Sequence, residues 1–151
     1  MFYVGRDSCK YCNIPEEKIL HRTPVSFIMF GSQLHPGHVK IIYREHVEDI
    51  RELPPRIQNA LWSDVMKTAR AVDRVFRPDR LNYQLLGNWE PHIHWHIYPR
   101  YRTDPDWGQP PILHWKVDGR RVSPGPTKMK EIPLAEEQAG AFKEALKKEF
   151  S

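Results

Sequence analysis

The chain of 151 residues carries a formal net charge of +4, is 40% hydrophobic and has two cysteines. That length suits one domain, 1–151, with a core of useful size, and no apolar run approaches the roughly 20 residues of a membrane span. The mild positive excess favours phosphorylated ligands, but acids interleave the basic residues, which argues against a nucleic-acid groove.

The N-terminus has no basic segment followed by an apolar one, which predicts a cytoplasmic protein without a signal peptide. Cys9 and Cys12 are the two cysteines, two residues apart. In a reducing compartment that gap reads as a metal knuckle or redox pair sooner than as a structural disulfide. Lys18–Arg22 and Val25–Phe30 read as strands joined by a hairpin at Thr23-Pro24, the second ended by Gly31-Ser32. Leu34-His35-Pro36-Gly37-His38 contains a turn signal, and Val39–Tyr43 is a third strand.

Residues 55–77 form the clearest helix. Ile57, Leu61, Val65, Ala69, Val72 and Phe76 recur at steps of three and four. Prolines suit its start and Pro78 stops it. Leu81–Leu86 is a fourth strand, Gly87–Glu90 a turn, and 92–98 a fifth strand. Half of the fourteen prolines fall between Pro99 and Pro133, which predicts a long extended section with a short strand at Ile112–Val117. Ala135, Ala139, Phe142, Leu146 and Phe150 mark a C-terminal helix over 134–150. The class is α+β: a five-stranded antiparallel sheet, one long central helix and a C-terminal helix.

Most of the functional information lies in Pro91-His92-Ile93-His94-Trp95-His96-Ile97-Tyr98-Pro99-Arg100. On an extended chain His92, His94 and His96 share one face, and Ile93, Trp95 and Ile97 the other. The plainest reading is a solvated strand face, but three titratable residues in register seldom cluster without function. A shared metal ion fits poorly. Same-face neighbours stand roughly 7 Å apart along a strand, whereas ligand atoms must meet about 2 Å from one ion. Phosphoryl chemistry fits better, because imidazole is a competent nucleophile and its neighbours can steady phosphate oxygens.

This stretch also fits a family signature: His, apolar, His, apolar, His, apolar, apolar. With Gly87-Asn88 upstream, Pro99-Arg100 downstream, and Pro36-Gly37-His38-Val39 followed by Arg44-Glu45-His46, residues 9 to 102 resemble the histidine triad family. Residues 103–151 fall outside the match, as a C-terminal extension. The resemblance implies a homodimeric nucleotide hydrolase or transferase working at an α-phosphate, near to the bacterial diadenosine polyphosphate hydrolase-like members. It implies His94 as nucleophile, His96 on a phosphate oxygen, His38 in support and Asn88 touching phosphate. Some branches complete a Cys-x-x-Cys pair with two histidines, here His46 and His92, around a structural zinc. Dinucleoside polyphosphates lead as substrates and nucleoside phosphoramidates follow; the alternative is a nucleotide-binding module without turnover. One departure stands out. Many members end the second strand with Asn or Asp toward the ribose, and this chain has Phe30-Gly31-Ser32.

His21, His35 and His114 read as ordinary loop or surface histidines, and Trp89, Trp107 and Trp115 as packing residues. Trp107 and the Tyr101–Pro111 loop are lid candidates. Arg100 and Arg102 either meet a leaving phosphate or are solvated.

Overall fold

A computed structural model describes residues 5–111, 115–117, 120–122 and 130–151. Its five-stranded antiparallel sheet comprises β1 (His21–Arg22), β2 (Ser26–Phe30), β3 (Val39–Tyr43), β4 (Arg80–Gln84) and β5 (His94–Arg100), in the order β1-β2-β3-β5-β4. Helix α1 (Pro55–Phe76) joins β3 to β4, and β5 folds back between them. The histidine strand is therefore interior to the sheet. A two-stranded unit, β6 (Trp115–Val117) and β7 (Arg120–Val122), follows, then α2 (Glu136–Phe150). The expected strand at Ile112–Val117 survives as β6, while its first three residues, Ile112, Leu113 and His114, lie outside the described residues.

The sheet's two faces carry different chemistry, as alternation along a strand requires. Ile28, Ile41, Trp95 and Ile97 are buried beneath α1, whose Leu61, Val65, Ala69, Val72 and Phe76 face them. Burying each large side chain contributes about 1.5–3 kcal/mol. The C-terminal helix folds back on α1: Phe142 and Leu146 enter the same core, and Glu149 accepts hydrogen bonds from Arg70 and Arg74. Buried Asp64 on α1 accepts from Thr23 Oγ1 and Ser26 Oγ (2.6 and 2.7 Å), fixing the helix to the β1–β2 turn.

The opposite face is polar. Lys40 stands across from His96 and Ile42 across from His94. On the other side Gln84 faces His96, Asn82 faces Tyr98 and Arg80 faces Arg100.

The fourth strand runs Arg80–Gln84 where the sequence predicts 81–86, and the C-terminal helix starts at Glu136, two residues late; two further boundaries differ for local reasons. Strand β1 is reduced to His21–Arg22, because Glu16–Lys18 closes into a 3-10 turn. β5 starts at His94 and not at 92, because the His92 amide turns back to the Glu90 carbonyl (2.8 Å). His92 therefore precedes the ladder instead of continuing it.

Candidate active site and metal centre

The Pro36-Gly37 turn sets His38. Gly37 has φ +92°, and a Cβ there would meet the Phe76 ring at 2.7 Å, so conformation and space both call for glycine. The Nδ1 of His38 donates to the Ser32 carbonyl (2.8 Å), and its Nε2 lies 2.9 Å from His96 Nδ1. A donating Nδ1 leaves the Nε2 of a neutral imidazole as acceptor. His96 Nδ1 must then donate, and His96 Nε2 keeps a lone pair. Gly31 makes room for this relay: a Cβ would stand 2.2 Å from the His38 ring.

The middle histidine is oriented by its own strand. His94 Nδ1 donates to the His92 carbonyl at 2.6 Å, which leaves Nε2 unprotonated. Burial is the main cause holding all these rings neutral. It lowers His94 to about 4, His38 to about 3 and His96 to about 2, with nearby cations or imidazoles adding to the effect on each. A neutral imidazole with a fixed tautomer is the state that can act as nucleophile.

His94 is only 5% exposed. Tyr11, between the two cysteines, covers it with ring centroids 4.5 Å apart. Tyr98 stacks on His38 (4.1 Å) and His96 (5.5 Å). A cleft of about 490 Å³ begins one strand over, lined by Arg80, Asn82, Gln84, Arg100 and Trp107. It shares the polar face of the sheet, but the imidazoles of His94 and His96 do not line it.

The four predicted metal residues converge. Cys9 Sγ lies 3.4 Å from His92 Nδ1, Cys12 Sγ lies 3.2 Å from His46 Nδ1 and 3.7 Å from His92 Nδ1. Zinc bonds of about 2.3 Å to sulfur and 2.0 Å to nitrogen, at tetrahedral angles, put S and N roughly 3.5 Å apart. The cluster has that size. His92 Nε2 donates to the Tyr43 carbonyl (2.7 Å), which turns the Nδ1 lone pair toward the sulfurs, as an outer-shell partner of a metal ligand does. These residues fit a zinc-type ion. The His92 imidazole faces the thiols, so the three histidines do not form one equivalent row.

Other expectations need correction. His35 is not an ordinary loop histidine: it is 4% exposed and bonds Asp106 (2.9 Å). Arg100 is 2% exposed, and its two terminal nitrogens are engaged by Asn82 Oδ1, the Gln109 and Asp106 carbonyls and the Asp106 carboxylate, while its Nε makes no hydrogen bond among the described residues. It fastens the loop after β5 and is not solvated. Arg102 is exposed beside Asp79, and its guanidinium shares the Trp107 ring with that of Arg80. Trp89 is 61% exposed and packs into no core. Asn88 is exposed on the turn before the strand and makes no hydrogen bond to the imidazoles.

Tyr11 and Lys40 were not singled out from sequence. For Lys40 the signal was available: counting alternate positions from His38 places it on the histidine face.

Comparison with known proteins agrees with this arrangement. The HIT domain family model matches residues 12–103. The chain is 31% identical over 106 residues to Protein hit of Bacillus subtilis, spanning 63% of this chain and 72% of that one. It is 28% identical over 93 residues to the asymmetrical bis(5'-nucleosyl)-tetraphosphatase of Schizosaccharomyces pombe, spanning 58% of this chain and about half, 51%, of that one. The fold is shared with a Zn-bound histidine triad family protein from Mycobacterium smegmatis, with a TM-score of 0.67 at 19% identity over 95% of this chain and 96% of the other. The chain belongs to the HIT domain family, a family of nucleotide-processing proteins. Among the described residues no helix is long and apolar enough to cross a membrane.

Proposed function

We propose that the protein hydrolyses a nucleotide at its α-phosphate through a nucleotidyl-His94 intermediate, with dinucleoside polyphosphates as the leading substrates and nucleoside phosphoramidates next. The observation that carries this reading is the 2.6 Å bond from His94 Nδ1 to the His92 carbonyl, which fixes the tautomer and frees Nε2. In the first step the Nε2 lone pair forms a bond to the α-phosphorus, and the leaving group departs with the electrons of the bond it loses. In the second, water attacks that phosphorus, the P–N bond breaks and nucleoside monophosphate leaves. His38 orients His96. With Nδ1 committed to His38, His96 donates to a phosphate oxygen only after gaining a proton on Nε2, and an arriving anion favours that gain. Asn88, exposed on the turn before the strand, is assigned to phosphate by family likeness.

Cys9, Cys12, His46 and His92 would hold a structural zinc, which supplies no chemistry to the reaction but fixes the N-terminal knuckle and the start of β5. The size of the cluster and the outer-shell bond at Tyr43 support this reading, and a solved protein of the same fold is Zn-bound. A homodimer is supported by the exposed Tyr83, Leu85 and Leu86 on and just after edge strand β4, and by exposed Trp62 of α1 beside Tyr83.

The test is turnover of diadenosine tetraphosphate, with products separated by chromatography. His94→Ala is expected to cut turnover by on the order of 10³ or more while nucleotide binding persists; undiminished hydrolysis by the variant would sink the assignment. The cover of Tyr11 over His94 favours a second reading, a nucleotide-binding module without turnover. Tight nucleotide binding with no product from any member of a substrate panel would establish it.

A further inference from the structure

Lys40 is the basic residue closest in register to the triad. It pairs directly with His96 across β3 and β5, which places the two side chains on one face with Cβ atoms about 5 Å apart. The side chain is partly buried, and its ammonium lies 5.5 Å from the centre of the Tyr11 ring that covers His94. Among the described residues no carboxylate forms an ion pair with it. The nearest acid influencing it, Glu90, is engaged by Lys10 (3.5 Å) and by the Lys10 amide (3.0 Å). Burial, then Lys10, push the Lys40 ammonium down to about 8, so it remains a cation at neutral pH.

A buried cation without a partner is costly, and such a group is retained where something else neutralises it. Here His96 is its cross-strand partner, and the imidazoles of His38, His94 and His96 are each pushed further toward the neutral form by Lys40. None can accept the charge. The missing partner is therefore an anion brought in with the substrate. One phosphate held at His94 and His96 supplies a single site of charge; a polyphosphate supplies further oxygens beside it.

We infer that Lys40 is a specificity-determining residue that binds the phosphates beyond the α-phosphate, and so selects substrates whose leaving group is itself a phosphate chain. This deepens the proposed function and rests on it: a dinucleoside polyphosphate satisfies Lys40, whereas a phosphoramidate, with an uncharged amine leaving group, does not. Lys10 also lies near the same tyrosine ring, at 5.0 Å from its centre, but Glu90 already neutralises it.

The experiment compares diadenosine tetraphosphate with adenosine 5'-phosphoramidate in the unmutated protein, Lys40→Met and Lys40→Arg. Methionine keeps the length and apolar stem, so folding is preserved, and circular dichroism checks it. A charge-assisted contact of ordinary strength predicts that Lys40→Met lowers kcat/KM for the tetraphosphate about 10- to 100-fold more than for the phosphoramidate. Lys40→Arg restores most of the difference. Equal losses on both substrates, or no loss on either, overturn the inference. If the unmutated protein turns over neither substrate, the hydrolase reading fails separately, and Lys40 is judged by calorimetry with adenosine 5'-tetraphosphate and AMP. The tetraphosphate should then bind more tightly by a margin that Lys40→Met removes. An unchanged margin overturns the inference there as well.

Discussion

Strand β5 is fastened at both ends by buried polar clusters, and the two clusters are built on opposite principles. At its start, Cys9, Cys12, His46 and His92 bring together thiols and imidazoles, with no opposite charges among them. At its end, Arg100 meets Asp104 and Asp106, and Asp106 also meets His35. In both clusters the candidate ligand atoms lie within 4.8 Å of one another. Proximity alone would make both of them metal sites. At the far end the guanidinium already occupies the place of the cation. At the near end the sulfur and nitrogen ligand atoms converge, and no residue among them supplies a cation. One cluster closes on its own residues, and the other, in the proposed reading, would be completed by an ion from outside.

The sharpest way to break this contrast is at the closed end. Arg100→Met keeps volume and removes charge, and it strands two carboxylates that are mostly buried. Breaking a buried pair from one side costs about 3–5 kcal/mol, and urea unfolding should show that loss. The metal content of the protein should not change, because the other cluster is intact. A loss below about 1 kcal/mol would mean that the far end is solvated and the comparison is mistaken.

At the open end the expected effect is smaller and conditional. Zinc at a hundredfold excess over its dissociation constant should raise stability by about 2.7 kcal/mol, read as a shift in thermal melting that chelator reverses. Cys9→Ser should abolish most of the shift, and elemental analysis should find about one ion only in the unmutated protein. The pH dependence has a definite sign. Burial pushes the Cys9 thiol up to about 11, so without metal it is protonated at neutral pH. A thiolate is the ligand, so binding releases a proton and weakens as pH falls. The shift should therefore be larger at pH 8 than at pH 6. Identical melting with and without chelator at pH 8 would remove the metal from this end.

How far the sequence reaches also differs between these regions. The start of β5 was legible because its chemistry is coded in residue type: two cysteines at a fixed gap, and histidines where the family pattern puts them. The same was true of α1, whose 3.6-residue stripe matches Pro55–Phe76 to within one residue at its C-terminal end. The far end was not legible. Arg100, His35 and Asp106 are common residue types, His35 is 71 positions from Asp106, and only the path of the loop after β5 shows that they meet. Lys40 and Tyr11 escaped for a related reason. Each borders a motif without belonging to it, and its role depends on cross-strand register and on how the knuckle folds over the sheet. Gly31 read as a departure from the family until the structure showed the His38 ring in the space its side chain would need.

The last test separates burial from ion pairing as the source of strength at the closed end. Glu149 on α2 also receives two guanidinium groups, Arg70 at 2.9 Å and Arg74 at 2.8 Å. By partner count this cluster equals the one at Arg100. Its arginines, however, are 58% and 44% exposed, whereas the Arg100 side chain is 2% exposed. Water and salt screen the exposed pairs, and each cation remains solvated when its partner is lost. Glu149→Gln should therefore cost no more than about 1 kcal/mol, and raising the salt concentration should shrink even that difference. The Arg100→Met loss should change little with salt, because the charges it strands lie where screening ions do not reach. If Glu149→Gln proves as damaging as Arg100→Met, partner count outweighs burial, and the closed end of β5 owes its strength to the number of its ion pairs.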